Sequence, residues 1–115
     1  MWHGNPDAEK ALEGIQKEDF VIFMTHNPEY FEEMSENAKG RSDITIAGHT
    51  HGGQVTFFGK IVVSAIKNKK KYGYGMKEYN GHKIYITSGL GGAFLEMFIR
   101  FFARPEIVIF ELKRI

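Results

Sequence analysis

Apolar residues fall along this chain in two alternating rhythms. Residues 19–26 read Asp-Phe-Val-Ile-Phe-Met-Thr-His, and residues 43–48 read Asp-Ile-Thr-Ile-Ala-Gly. Both contain short apolar runs rich in β-branched or aromatic side chains. The first is near-continuous, the pattern of a strand covered on both faces, and the second reads as a buried strand. Between them Tyr30, Phe31, Met34 and Ala38 recur at helical spacing before Gly40, so an amphipathic helix is expected there. Its entry is Asn27-Pro28-Glu29. The same signature, Asn5-Pro6-Asp7, precedes a shorter stripe of Ala8, Ala11, Leu12 and Ile15. In such an entry Asn caps, Pro occupies the first helical position and the acid faces the positive helix end. Strand, helix, strand is a βαβ unit. It puts His26 and His49 at one C-terminal sheet edge, where α/β sheets commonly bind ligands.

Beyond Gln54 the rhythm shortens. Residues 55–58 and 61–63 are strand candidates joined through Gly59-Lys60, and residues 72–79 and 82–88 flank Asn80-Gly81, a strong hairpin signal. The basic cluster Lys67 to Lys71 reads as a solvated loop, with attraction to phosphate or a membrane surface as the alternative. Ser88-Gly89-Leu90-Gly91-Gly92 lacks the spacing of a phosphate cradle and reads as a tight turn near the site. The stretch from Phe94 to Ala103 is strongly apolar. It reads as core or interdomain packing, or else as a surface for an acyl chain or a partner. Residues 106–112 form the expected last strand.

Composition narrows the class. At 115 residues with 43% hydrophobic and 14% aromatic content, the chain is one small globular domain. A formal charge of +1 gives no broad field for nucleic acid. No segment has the apolar length of a membrane span and the start has no signal-peptide pattern, so the expected location is cytoplasmic or peripheral to the cytoplasmic membrane. Cysteine is absent, which leaves His, Asp, Glu and Asn as metal ligands. Of the 14 acidic residues only Asp7, Asp19 and Asp43 are aspartates.

The chemistry centres on residues 47–54, Ala-Gly-His-Thr-His-Gly-Gly-Gln. Here His49 and His51 follow a strand and are bracketed by glycines that permit turns. Neutral imidazole binds zinc, manganese, iron and similar ions, and His26 ends another apolar run. The competing reading is two ordinary histidines, one packed and one in solvent. His82, beside the hairpin turn, reads as an exposed strand residue rather than a ligand.

Thr25-His26-Asn27-Pro28, Gly48-His49-Thr50-His51-Gly52-Gly53-Gln54, Ser88-Gly89-Leu90-Gly91 and Arg104-Pro105-Glu106-Ile107 together resemble the C-terminal half of calcineurin-like metallophosphoesterases. The bacterial branch similar to UDP-2,3-diacylglucosamine hydrolases is the nearest. The resemblance implies an α/β (α+β) fold, the C-terminal half of a β-sandwich flanked by helices, with residues 1–115 forming the C-terminal portion of the domain. It implies hydrolysis of phosphate monoesters or diesters by a water activated by two divalent ions, Mn, Fe or Zn. His26 and His49 would bind one metal and His51 the other, with no catalytic side chain beyond these ligands. The family's Asp-x-His, Gly-Asp-x-x-Asp and Asn-His motifs do not occur in this sequence. The expectation is therefore an incomplete site, completed by a missing N-terminal half. The alternative is a non-catalytic metal-binding or assembly module. The expected partners are a phosphate-ester substrate, a membrane or lipid contact through Phe94 to Ala103, and either a second copy or the missing half; no specific nucleic acid is expected.

Overall fold

The computed structural model describes residues 5–48, 71–90 and 105–113, together with the backbone of 55–57 and 60–63. The elements run α1 (Ala8–Ala11), β1 (Ile22–Thr25), α2 (Tyr30–Glu33), α3 (Glu36–Gly40), β2 (Ile44–Ala47), β3 (Val55–Phe57), β4 (Lys60–Val63), β5 (Gly75–Tyr79) and β6 (His82–Ile86). Four strands form a mixed sheet in the order β1-β2-β6-β5, and β3 and β4 form an antiparallel pair. This is the expected α/β class.

β1, β2 and β6 run parallel, so their C-terminal ends share one edge. The βαβ unit is present, but its crossover is two short helices. Met34 takes an extended conformation after α2, and Ser35 restarts the helix by accepting the N–H of Ala38 at 2.9 Å. The apolar stripe survives this break, since Phe31, Met34 and Ala38 are all buried. At the first helix the cap is Asp7, not Asn5. Its Oδ1 accepts the N–H of Lys10 at 3.0 Å. That helix buries Ala8 and Leu12 but leaves Ala11 and Ile15 exposed.

One sheet face carries the core. Val21, Phe23, Ala47, Ile84 and Ile86 are buried with Thr45, against Ala8, Leu12, Phe31, Met34 and Ala38 of the helical layer. The layer is also tied by polar contacts. The Tyr30 hydroxyl accepts the N–H of Ala8 at 2.9 Å, Glu9 accepts from Ser35 and Asn37, and Arg41 donates to the carbonyl of Leu12.

The opposite face contradicts the expectation that β1 is covered on both sides. Register lines up Met24, Ile46, Tyr85 and Met76 in one row across the sheet. Met24 is 76% exposed and Met76 52%. The reason is position: β1 and β5 are the two edges of this sheet, and among the described residues the helices pack on one side. A continuous apolar run in sequence does not distinguish a strand buried on both faces from one buried on a single face at an edge.

The hairpin forms as expected, with Asn80 at φ 52° and Gly81 at φ 80°, the two left-handed positions of a type I′ turn. The last strand does not form. Residues 105–113 are without regular structure, and Ile107, Ile109 and Leu112 are all largely exposed. β-propensity expresses packing against neighbours, and this segment joins no ladder. Among the described residues no helix is long and apolar enough to cross a membrane.

Candidate functional site

The shared C-terminal edge gathers three chain departures. Thr25 is in register with Ala47, and one residue further the N–H of Gly48 donates to the carbonyl of His26 at 3.2 Å. Where β6 ends, the N–H of Thr87 donates to the carbonyl of Ala47 at 2.9 Å. The ends of β1, β2 and β6 are thus stitched side by side.

His26 itself is exposed. The turn after it is built by Asn27 and Pro28. The Asn27 side chain accepts the N–H of Glu29 at 3.0 Å, its carbonyl accepts that of Tyr30 at 3.1 Å, and Pro28 is fully buried. The expected entry signature therefore acts as an Asx turn, while α2 itself starts at Tyr30, with Glu29 in the N-cap position and no side-chain cap bond. His49 and His51 lie outside the described residues, as do residues 67–70, Gly91, Gly92 and the stretch from Phe94 to Ala103. Among the described residues no three His, Asp or Glu side chains gather to hold a metal ion.

The aspartates are engaged elsewhere. Asp7 caps α1, Asp19 accepts the N–H of Gln16 at 2.8 Å, and Asp43 accepts that of Val21 at 2.7 Å. Asp19 and Asp43 precede β1 and β2, so they stand at the edge opposite His26 and Gly48.

One described carboxylate that reaches the C-terminal edge is Glu106. Its Oε1 accepts the Tyr85 hydroxyl at 2.6 Å, and its Oε2 accepts the Thr87 hydroxyl at 3.2 Å and the Ser88 N–H at 3.1 Å. Its own N–H donates to the carbonyl of Gly89 at 2.9 Å. The Tyr85 bond, against the opposing effect of burial, holds the Glu106 carboxyl below its ordinary value. The same bond, with burial second, pushes Tyr85 up to about 12. Gly89 takes a left-handed φ of 65°, and Gly91 and Gly92 of the expected tight turn lie outside the described residues. The Ser88 and Gly89 amides are turned inward: Ser88 donates to Glu106, and Gly89 donates to the Thr87 hydroxyl at 3.1 Å. They do not form a phosphate cradle. Sequence reading missed Glu106, placing it in a strand. Nothing in the spacing links a glutamate to hydroxyls 19 and 21 residues earlier.

A second polar cluster sits at the other edge, around a cleft of about 80 Å³ between α2, α3 and the hairpin. Of the basic cluster 67–71 only Lys71 is among the described residues. It pairs with Glu32 at 2.5 Å and lies over the rings of Tyr72 and Tyr79, at 5.2 and 4.9 Å from their centroids. This bond lowers the Glu32 pKa and raises that of Lys71, while burial pushes Tyr72 up to about 12. His82 is only 22% exposed, not an open strand residue, and its Nε2 stands 3.3 Å from Glu36 Oε2. Glu32 and Glu36 balance Lys71 and Lys39, so the cleft is internally paired.

No family model matches the chain, and no solved structure matches it. Curated proteins do. The chain is 35% identical over 112 residues to an uncharacterized metallophosphoesterase, YkuE, of Bacillus subtilis (strain 168), covering 96% of this chain and 37% of the relative. It is 31% identical over 108 residues to an uncharacterized metallophosphoesterase of Helicobacter pylori (strain J99 / ATCC 700824), covering 93% and 27%. It is 31% identical over 93 residues to the phosphodiesterase YaeI of Escherichia coli (strain K12), covering 79% and 32%. The chain spans about a third of the length of these relatives.

Proposed function

On the premise that its relatives support, the metallophosphoesterase family, we propose that this chain contributes histidine ligands to a metal-dependent phosphoesterase. The observation that carries the reading is the Gly48 to His26 backbone bond, which brings His26 to the strand end from which residues 49–51 continue. The donor set fits a divalent ion in its chemistry: three imidazoles, His26, His49 and His51, with an exposed His26 at a sheet edge. Two such ions, when bound, polarise phosphoryl oxygens and acidify a water.

The chain's own residues would do the holding. The bond at Gly48 fixes where the His49 segment starts, and Gly52 and Gly53 in the sequence put no Cβ in the way of a turn there. A bridging carboxylate and a proton donor for the leaving group would come from the length of the relatives that this chain does not match. Asp19 and Asp43 stand at the far edge, and Glu106 already accepts three bonds. The same observation favours the second reading, a metal-binding module without chemistry of its own. The substrate class is a phosphodiester, in line with the phosphodiesterase named among the relatives. The resemblance to UDP-2,3-diacylglucosamine hydrolases is the narrower form of that reading.

Hydrolysis of bis(4-nitrophenyl) phosphate with manganese tests it, run on this chain and on a polypeptide of the relatives' length that contains it. Turnover by the longer polypeptide, lost in His49→Ala, is the expected result. Absence of turnover in both, with manganese bound, would leave the module reading.

A further inference from the structure

Glu106 belongs to a segment without regular structure, yet its carboxylate accepts three bonds at the C-terminal edge. Three of the roughly four lone-pair positions of its carboxylate are filled, by Tyr85, Thr87 and Ser88. With its backbone bond to Gly89, it clamps the turn 87–89 from both sides. The turn is bonded to Ala47 through Thr87, and the next residue, Gly48, is bonded to His26.

We propose that Glu106 is a positioning residue for the metal site: it fixes the 87–89 turn, and through Ala47 and Gly48 it fixes the strand ends that carry His26 and His49. This rests on the phosphoesterase reading above. The carboxylate is not assigned as a metal ligand, because three of its roughly four acceptor positions are taken by Tyr85, Thr87 and Ser88. It acts as an outer anchor, holding the backbone that aims the ligands. Such outer partners change metal affinity by about 10- to 100-fold when removed.

The test uses the ¹⁵N-labelled chain with Glu106→Gln, Glu106→Asp and Ser35→Ala. Glutamine keeps the size but offers one acceptor oxygen and an NH₂ group that faces donors, so at least one of the three loses its acceptor. Ser35→Ala removes a helix cap in the helical layer and serves as a control for stability alone. Expected for Glu106→Gln is amide hydrogen exchange at least about tenfold faster at Thr87, Ser88 and Gly48, with a manganese Kd raised about tenfold by calorimetry. Glu106→Asp should recover part of both, and Ser35→Ala should change neither. Unchanged protection at Thr87 and Gly48 in Glu106→Gln, or an equal loss of manganese affinity in Ser35→Ala, overturns the proposal. If the unaltered chain takes up no manganese, the metal reading fails, while the exchange measurement still decides whether Glu106 holds this edge. Should Glu106→Gln not fold, Tyr85→Phe removes one of the three bonds and carries the same exchange readout.

Discussion

The N–H of Gly48 donates to the carbonyl of His26 at 3.2 Å, so two segments 22 residues apart leave the sheet at adjoining points. His82 begins β6 and therefore stands at the opposite edge. His26→Ala and His49→Ala should each weaken manganese binding at pH 7.5, and His82→Ala should leave it unchanged. Calorimetry decides, and binding should fall in acid because protons compete for imidazole nitrogen. Equal effects from all three substitutions would remove the distinction between the edges.

Tyr85 and Glu106 shift each other in opposite directions, and the pH dependence follows from the signs. The folded pKa of Tyr85, about 12, lies above its unfolded value near 10. Its contribution to stability is therefore complete below pH 10 and disappears as pH rises through about 12. Glu106 is lowered, so its contribution is present above the unfolded carboxyl value and is lost as pH falls through the folded one. Ultraviolet titration of tyrosinate should show the Tyr85 transition moving down toward the ordinary value in Glu106→Gln. A transition that stays near 12 would mean that burial, not the hydrogen bond, dominates.

The two sheet faces should respond differently to truncation. Ile84 is fully buried, and Ile84→Ala should cost about 2 to 5 kcal/mol. Met24, 76% exposed, should lose less than about 0.5 kcal/mol on the same change. Urea unfolding of both variants measures this. A large cost at Met24 would show that this face is packed in solution.

Glycine substitutions separate conformational need from convenience. Gly81 has φ 80°, and Gly81→Ala should destabilise the hairpin by about 1 kcal/mol. Gly40 closes α3, and an added Cβ there would come no nearer than 4.0 Å to His82 Cε1. Gly40→Ala should be neutral or stabilising by up to about 1 kcal/mol. Thermal melts of the two variants should move in opposite directions or differ clearly in size.

Local chemistry was legible in the sequence wherever one short stretch contained all of it. Asn80-Gly81 specified its own turn, since only certain residues accept left-handed φ at both positions. The run at 44–47 and the stripe of Phe31, Met34 and Ala38 specified the βαβ unit, and with it the common edge of His26 and Gly48. Tertiary structure alone decided what depends on neighbours distant in the chain. Residues 106–112 have the composition of a strand but join no ladder, while Lys71 pairs with Glu32 and lies over two tyrosine rings. Glu106 became the anchor of the edge because folding brought it to Tyr85, Thr87 and Ser88. Turn and helix preferences act over a few residues and can be read there, whereas ladder bonds and carboxylate contacts exist only once the chain has closed on itself.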